Sequence, residues 1–427
     1  MSGMAGWLYI LIPVVLLILG FPIYLLLLIT GLVALYFAQG VEPSVVPTTM
    51  FGSLDSFPLI AIPFFILAGE IMGRGGIAKR IIAWVLALVG GIRGSLAVTT
   101  IASSEIFGAM SGSALGTVAA VGRLLLPALR EGGYGERFAT SLISASGAIA
   151  VIIPPSIPLI IYGVVAQQAV TVLFLAGILP ALLIGLIDAT YVLTYARAKN
   201  VPITTGTDWK TVWKATRDAS WALGTLVVLF GGIYGGVFTP TEAAGVAVVY
   251  AFVVSKFIYR DITWAELWDI TASSAQINSQ ILIILTAAGV YSWFLTTSGI
   301  PQRLVAAIGG YHLGPVGTLL LFNLVFLVVG SFLEPAPAIL IMTPLFLPVV
   351  EAVGVSPIHF GIIIAVNLSV GMYMPPFGLN LFGSHSLFGT PLGLLYRGII
   401  PFLIINLAGL LIITFFPEIS LALTHGR

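Results

Sequence analysis

Three small polar residues, Ser111, Gly112 and Ser113, interrupt a long apolar stretch of the chain. Serine hydroxyls and exposed backbone carbonyls are oxygen ligands, and hard cations such as Na⁺ are held by oxygen without needing a carboxylate. A simpler interpretation is that the serines only cap short helices, as serine often does. Because a second discontinuity lies nearby, at residues 147–154, the combination favours a cation site.

A similar interruption occurs in the second half of the chain, at Ser331, Glu334 and Pro335. It precedes another discontinuity, at residues 371–375. Glu334 is an ionisable residue within an apolar stretch, which makes it a functional-site hypothesis. It would also suit the start of the helix predicted from Pro335, because a carboxylate is favourable at a helix N-terminus. The sequence leaves both interpretations open.

The element that must position the first polar group is a stretch of residues 137–168. It has the length of one membrane crossing, but the pair Pro154 and Pro155 lies in its middle. Paired prolines remove backbone donors and clash with a continuing helix, so the helix must break there. In a bilayer, broken backbone is tolerated only where protein or a water-filled cavity satisfies its polar groups. One half-helix then offers carbonyls and the other offers N–H groups, as in the ion and substrate sites of secondary transporters.

The same arrangement occurs twice, which indicates an internal repeat. At a displacement of 221 residues, four pairs of identical residues coincide: Pro154 with Pro375, Pro155 with Pro376, Gly177 with Gly398, and Pro180 with Pro401. The predicted repeats cover residues 1–197 and 218–427, and a polar linker at 198–217 joins them.

Each repeat is predicted to contain a re-entrant helical hairpin followed by a broken helix. The first hairpin is expected at residues 94–129 and the first broken helix at 137–168. Their counterparts are expected at 314–350 and 357–388. Two arms of about 15 residues each rise only about 22 Å, which is short of the ~30 Å hydrocarbon core. A hairpin that enters and leaves on one side therefore fits better than two crossings.

The predicted topology is inverted between the two repeats. If neither the short arms nor the hairpins cross, each repeat has an odd number of crossings. The Lys/Arg-rich linker at 198–217 is then cytoplasmic by the positive-inside rule, and the loop at 39–56, which has no Lys or Arg, lies outside. Both chain termini are predicted to lie outside as well.

Composition places the chain in the membrane. Of 427 residues, 59% are hydrophobic and 8% are charged, and long apolar segments recur throughout. The first apolar stretch lacks a basic region before it, which predicts no cleavable signal peptide. A net charge of +1 argues against nucleic-acid binding, and the absence of cysteine excludes thiolate metal sites. The scattered histidines form no catalytic motif, so neither an enzyme nor an organic cofactor is predicted.

Other charged residues are assigned structural roles. Thr239 with Glu242, and Thr263 with Glu266, have the spacing of capping boxes at helix starts. Asp188 lies deep in a predicted span, where a buried hydrogen-bonding or scaffold role is expected rather than a role in ion transport.

Two helix boundaries are predicted from local patterns. Residues 7–20 and 22–38 are expected to form two short helices, with one kinked span as the alternative. An amphipathic segment that begins at Thr263 is expected to lie at the membrane interface before a separate span at 278–297.

Five segments together resemble the large membrane subunit of TRAP (tripartite ATP-independent periplasmic) transporters, and the resemblance covers essentially the whole chain. These segments are PFFILAGEIM at 63–72, GAMSGSALGTVAAVG at 108–122, IIPPSIP at 152–158, FTPTEAAG at 238–245 and MPPFGLN at 374–380. The resemblance implies an all-α permease of the bacterial or archaeal inner membrane with periplasmic termini. It implies import of an organic acid with Na⁺ by an elevator mechanism. It also implies two partners, a small four-helix membrane subunit and a periplasmic solute-binding protein.

The resemblance further implies site residues. One sodium site would join the first hairpin tip to the first break, and a second would join the equivalent parts of the second repeat. The implied sodium ligands are Ser111, Gly112, Ser113, Gly147, Ala150, Ile153 and Pro154 in the first site, and Gly330, Ser331, Glu334, Pro335, Gly371, Met374 and Pro375 in the second. The substrate contacts would be Ser113, Pro155, Ser156, Asn367 and Asn380. Asparagine also satisfies broken backbone, which is the alternative role of the last two.

Two other functions remain compatible with the sequence. A stand-alone ion-coupled anion symporter needs no binding protein, and elevator folds of that kind are related. A structural or assembly scaffold would use the breaks only as packing devices. Uptake measured with and without a binding protein separates these possibilities.

Overall fold

The computed structural model describes residues 11–424, except 14, 18, 39, 43, 204, 205 and 207. Helices and their connections make up these described residues, and no strand occurs among them. The all-α prediction is therefore confirmed. The predicted helix at 7–20 lies partly outside the described residues. Gly20 follows its described part in the left-handed conformation, with φ of +77°, before α1 begins.

In chain order, the helices are α1 (Ile23–Val33), α2 (Val45–Gly52), α3 (Ala61–Arg74), α4 (Ile77–Val89), α5 (Ser95–Ser111), α6 (Ala114–Glu131), α7 (Glu136–Ile149), α8 (Ile157–Val165), α9 (Val170–Ala198), α10 (Trp209–Asp218), α11 (Ser220–Tyr234), α12 (Pro240–Val253), α13 (Trp264–Thr297), α14 (Ile300–Gly309), α15 (Gly314–Phe332), α16 (Pro335–Ala352), α17 (Pro357–Gly371), α18 (Leu379–Phe388), α19 (Leu392–Phe415) and α20 (Pro417–Leu421). A 3-10 turn at Phe57–Ile60 precedes α3, and π-helical turns extend α1 and α12.

Seven helical segments in the described part of the chain are long and apolar enough to cross a membrane. They are Phe57–Arg74, Val170–Ala198, Pro240–Ile258, Trp264–Thr297, Gly314–Phe332, Pro335–Ala352 and Leu392–Phe415. The chain is a polytopic helical membrane protein, as its composition predicts.

The helix order of the first half recurs in the second. A span, a short arm, a two-helix hairpin, a broken helix and a long span follow one another from α3 to α9, and again from α13 to α19. This order supports the internal repeat. The inversion of one repeat relative to the other stays a prediction.

The hairpin arms are longer than predicted. In the first hairpin they contain 17 and 18 residues, because the helices continue almost to the tip and only Gly112 and Ser113 separate them. Such arms rise about 26 Å, which is close to the ~30 Å of a hydrocarbon core. The expectation of 15-residue arms was wrong, since small polar residues near the tip do not end these helices early.

One other predicted boundary was wrong. α13 is one continuous helix of 34 residues, not an amphipathic segment followed by a separate span. The linker at 198–217 also contains most of α10, an amphipathic helix with exposed Trp209 and Trp213. It lies against α4, where the indole of Trp84 donates a 3.1 Å hydrogen bond to Thr216.

The two broken helices occupy the centre of the molecule. Every residue of α7 from Phe138 to its end is buried, and so is every residue of α17 from His359 to its end. A helix buried on all sides belongs to a protein core, not to a lipid-facing surface. The core therefore surrounds both helix breaks.

Both predicted capping boxes are confirmed. The hydroxyl of Thr263 accepts from the N–H of Glu266, and the carboxylate of Glu266 accepts from the N–H of Thr263 at 2.7 Å. Thr239 and Glu242 form the same pair at the start of α12. Orphan N–H groups at both helix starts are thereby satisfied.

Replacing Thr263 with alanine should loosen the first turn of α13. A cap of this kind contributes about 1 kcal/mol, which corresponds to about fivefold in local opening. Amide hydrogen exchange over the first turn should accelerate by about that factor. Thr263→Ser keeps the hydroxyl and should exchange like the wild type; equal acceleration in both variants would contradict the assigned role.

Candidate functional site

The first break leaves a row of backbone carbonyls without donors. α7 ends at Ile149 and α8 begins at Ile157, and the Pro154-Pro155 peptide bond between them is cis. Within the described part of the chain, no N–H or side chain donates to the carbonyls of residues 150–155. Nearly all of these residues are buried. The predicted helix break is confirmed, and its free carbonyls face protein instead of solvent.

The first hairpin tip supplies further free carbonyls. α5 ends at Ser111, and Gly112 follows it in the left-handed conformation with φ of +61°. None of the described donors reaches the carbonyls of residues 109–111, as is usual in a last helical turn. The C-terminal end of α5 therefore carries the negative partial charge of the helix dipole.

Glycine brings these two groups of carbonyls together. A Cβ atom added at Gly108 would lie 2.5 Å from the carbonyl oxygen of Ala150, and one at Gly112 would lie 3.3 Å from that of Pro155. On the other side of the break, a Cβ at Gly147 would lie 3.4 Å from the carbonyl oxygen of Ala114. The negative ends of α5 and α7 thus converge, which suits a cation.

The serines at this site also act as caps. Ser113 accepts from the N–H of Gly116 at 3.2 Å, and its carbonyl accepts from Thr117. The buried side chain of Ser156 caps α8 in the same way, accepting from the N–H of Leu159 at 3.4 Å. The predicted capping role of Ser113 is present. The hydroxyl of Ser111 accepts from the N–H of Ser113 and lies 3.4 Å from the hydroxyl of Thr117, so its carbonyl is the oxygen atom without a donor.

Two capped helix N-termini also lie at this tip. α6 begins after Ser113 and α8 after Ser156, and the Ile157 side chain is within 3.3 Å of a Cβ placed on Gly112. Adjacent helix N-termini provide N–H donors and positive partial charge, which favour an anion such as a carboxylate.

The second break has a different hydrogen-bond pattern. α17 ends at Gly371, and the Pro375-Pro376 bond is cis. Four of its carbonyls accept hydrogen bonds, those of Gly371, Met372, Met374 and Pro376. The two halves of this site still touch through glycine, because a Cβ at Gly371 would lie 2.7 Å from the Cα of Gly330.

Glu334 does not cap α16 with its side chain. The residue is at the N-cap position, but its carboxylate accepts no cap hydrogen bond and its side chain is exposed at the tip. Ser331 is buried, and its hydroxyl donates to the carbonyl of Val328 at 2.7 Å. Glu334 therefore stands at the start of α16, as the alternative interpretation predicts, and its carboxylate makes no cap hydrogen bond, so both interpretations stay open.

Residues 10–419 match the protein family described as "Tripartite ATP-independent periplasmic transporter, DctM component". The chain belongs to this family. The membership confirms the resemblance seen in the sequence, and it makes the chain a TRAP large permease, not an enzyme.

Several relatives of this permease carry different substrate names. The C4-dicarboxylate TRAP transporter large permease protein DctM of Pseudomonas aeruginosa is 39% identical, and the match covers 88% of each chain. The ectoine/5-hydroxyectoine TRAP transporter large permease protein UehC of Ruegeria pomeroyi is 38% identical over 96% of each chain. The isethionate TRAP transporter permease protein DctMQ of Oleidesulfovibrio alaskensis is 37% identical over 95% of this chain and 64% of its own length.

A solved structure has a similar fold. The YdaH transporter of Alcanivorax borkumensis superimposes with a TM-score of 0.63 at 15% sequence identity, covering 88% of each chain. At this identity, the similarity concerns the fold alone.

The TRAP permease holds its two predicted substrate asparagines in the core. Asn367 donates to the carbonyl and the side-chain oxygen of Asn323, both at 3.0 Å. Asn380 donates to the carbonyl of Ser144 at 3.1 Å. Both residues are fully buried, and each has a side-chain oxygen without a hydrogen bond. Both contacts join neighbouring helices, because Asn323 lies within α15 and Ser144 within α7.

A direct connection between the two breaks escaped the sequence prediction. Asn380 and Ser384 of α18 contact Ser144 of α7, whose hydroxyl is 2.5 Å from that of Ser384. Serine on an otherwise apolar, buried helix face is the only signal in the sequence, and it does not identify a partner in the other repeat.

Proposed function

We propose that this permease imports an organic acid by using the Na⁺ gradient. The single observation that carries the Na⁺ proposal is the convergence of the C-terminal ends of α5 and α7, with free carbonyls at residues 109–111 and 150–155. Oxygen ligands and two negative helix ends favour a hard cation without requiring a carboxylate.

The proposed substrate site lies on the positive side of the first tip. The N–H groups of Ala114, Leu115 and Ile157 have no acceptor among the described residues. Such donors at helix N-termini are suited to a carboxylate. The printed names of the relatives support a small polar or acidic substrate, since they include C4-dicarboxylates and isethionate.

An elevator movement of the hairpins and broken helices is proposed for alternating access. The buried helices α7 and α17 would move with the hairpins, and lipid-facing spans would form the scaffold. At one boundary of these bodies, α3 packs onto the first tip through Gly69, where a Cβ would lie 2.7 Å from the Cα of Ser111. Because both residues at this contact are small, few side-chain atoms would obstruct sliding of the first tip along α3. This supports the division into a moving part and a scaffold.

The proposed partners are a small four-helix membrane subunit and a periplasmic binding protein, in a bacterial or archaeal inner membrane with both termini periplasmic. Family membership supports the two partners. The relative named DctMQ extends well beyond the matched region, which is compatible with fusion of a second membrane part.

Uptake into proteoliposomes tests this function. The permease is reconstituted with its small subunit, and a radiolabelled acid is offered with or without the binding protein in Na⁺ or in K⁺ buffer. Uptake is expected only with Na⁺ and the binding protein together. Uptake without the binding protein would show a stand-alone symporter, Na⁺-independent uptake would refute the coupling, and no uptake of any tested acid would favour a scaffold.

Altering the first tip should abolish Na⁺-dependent uptake. Ser111→Pro disrupts the end of α5, and Gly112→Trp places a large side chain at φ of +61° beside the break. Both variants should insert into the membrane normally, because the spans are unchanged. Gly236→Trp is a matched control, since Gly236 also has positive φ but has no neighbour within 4 Å of a Cβ. Full uptake by either tip variant would refute the placement.

A further inference from the structure

Asp188 is a carboxylic acid in the interior of a membrane-spanning helix. It lies in α9, and its side chain has no solvent exposure. The amide of Asn406, from α19, donates to its Oδ1 at 3.1 Å, and its Oδ2 has no hydrogen-bond partner. Half of a buried carboxylate is thus left without a donor, which is costly if the group is charged.

A second carboxyl group lies beside it. Glu105 belongs to α5, and its carboxyl rests on the backbone of α9 at Gly185, where a Cβ would coincide with Oε1. This Oε1 atom is buried and has no hydrogen bond. The charges of Glu105 and Asp188 act on each other, so two negative charges here would repel.

The surroundings of Asp188 supply no cation. The titratable groups that interact with its charge are Glu105 on α5, Tyr373 after α17, and Tyr191 on α9 itself. Arg137 of α7 interacts with the neighbouring Tyr191. The ion pairs found among the described residues involve neither Glu105 nor Asp188.

Two further oxygen atoms near Asp188 also make no hydrogen bond. The side-chain oxygen of Asn406 makes no hydrogen bond, and the hydroxyl of Tyr373 lies close to Asn406 and Asp188 without a bond of normal geometry. Both side chains are fully buried. The donors in this cluster are the amide of Asn406 and the hydroxyl of Tyr373, both neutral, so the two carboxyl groups have no positively charged donor beside them.

We propose that Glu105 and Asp188 form a proton-binding site that holds one shared proton. A proton on either carboxyl removes one buried charge and provides the missing donor, either to the other carboxyl or to Asn406. Glu105 remains partly exposed, so it is the entry point for a proton that reaches fully buried Asp188. Release of the proton would leave a second negative charge between α5, α9 and α19.

This site is separate from the proposed Na⁺ site but shares a helix with it. Glu105 precedes Ser111 by six residues in α5, a rise of about 9 Å. Deprotonation would strain the packing of α5, and the C-terminal end of this helix contributes carbonyls to the proposed cation site. Alkaline pH is therefore expected to impair uptake through this pair.

Infrared difference spectroscopy tests the proton directly. The purified permease should show the carbonyl stretch of a protonated carboxylic acid at neutral pH, and both Asp188→Asn and Glu105→Gln should weaken it. Glu242→Gln, at an exposed capping carboxylate, should leave the band unchanged. A wild-type spectrum without the band would overturn the proposal. So would a carboxylate band that shifts on Na⁺ removal in the wild type but not in Asp188→Asn, because it would show a metal cation in place of the proton at this pair.

Uptake provides the second readout. Wild-type uptake should fall about tenfold between about pH 7 and about pH 9, whereas Asp188→Asn, which cannot ionise, should change by less than about twofold. Equal pH profiles would contradict the site. The infrared measurement needs neither Na⁺ nor substrate, so its failure is distinguishable from failure of the proposed transport function. Size-exclusion chromatography identifies any variant that does not fold. If either Asp188→Asn or Glu105→Gln fails to fold, the infrared and uptake results of the other variant test the proposal.

Discussion

Replacing Gly108 with valine is expected to abolish Na⁺-dependent uptake. A Cβ at this position would lie 2.3 Å from the Cβ of Ala150 and 2.5 Å from its carbonyl oxygen. Both neighbours are parts of the buried break, so neither can move aside like the end of a flexible side chain. Overpacking of this kind costs about 1–3 kcal/mol and shifts backbone.

This backbone shift would move the carbonyl oxygen atoms proposed to bind the cation. Separating α5 from the break pulls the carbonyls of residues 109–111 away from those of residues 150–155. Loss of one well-placed ligand interaction of about 1.4 kcal/mol weakens affinity tenfold. The apparent affinity for Na⁺ should therefore fall by at least about tenfold, measured as uptake against Na⁺ concentration.

Gly245→Val is the matched control for this experiment. Gly245 also lies inside a helix, α12, but a Cβ there has no neighbour within 4 Å. This variant carries the same change in helix propensity without the close contact. It should keep wild-type Na⁺ dependence. Normal Na⁺ dependence in Gly108→Val would show that the contact between α5 and the break is not part of the cation site.

Replacing Asn380 with leucine is expected to disconnect the two breaks. The amide of Asn380 is fully buried and donates to the carbonyl of Ser144 across the boundary between the repeats. Leucine is similar in size but leaves that carbonyl without this donor. Ser144 lies inside α7, so the loss is that of one intramolecular hydrogen bond, about 0.5–1.5 kcal/mol. The neighbouring contact of Ser144 with Ser384 should weaken as well.

The expected result is a loss of uptake that high Na⁺ does not restore, because the relative placement of both breaks is affected. Asn278→Leu serves as the control. Asn278 is half-buried in α13 and lies far in sequence from both breaks. It should retain uptake and thermal stability. If Asn380→Leu transports normally, then the link is a packing detail, and the free side-chain oxygen of Asn380 cannot be important for substrate either.

The positions of the breaks could be predicted because they follow from local chemistry. Pro154-Pro155 and Pro375-Pro376 lack the N–H groups that a continuous helix requires. The capping boxes at Thr239 and Thr263 are equally local, and both are present. Features that depend on a residue and its neighbours within one turn were accessible from sequence.

Partners across the repeats were not accessible in this way. The contact of Asn380 with Ser144 joins residues 236 positions apart. Helical periodicity shows that a side chain is buried, but it does not show which buried group will receive its hydrogen bond. The same limit hid the neighbour of Asp188, since only the fold brings Asn406 and Glu105 to it.

The two helix breaks differ in their hydrogen bonds, although both contain a pair of prolines. The hydroxyl of Tyr396 donates to the carbonyl of Pro376, and the N–H of Asn380 donates to that of Met372. The first break has no equivalent donors. A second sodium site at Gly330, Ser331 and Gly371 therefore stays a prediction, with fewer free carbonyls in its support.

The most direct test is a pair of high-resolution cryo-EM maps of the permease, one in NaCl and one in choline chloride. We expect a peak enclosed by the carbonyls of residues 109–111 and 150–155 in Na⁺, and its loss or disorder of the first tip in choline. Identical maps with no peak between α5 and the break would contradict the account. A cation peak elsewhere, with no density between these carbonyls, would contradict it as well.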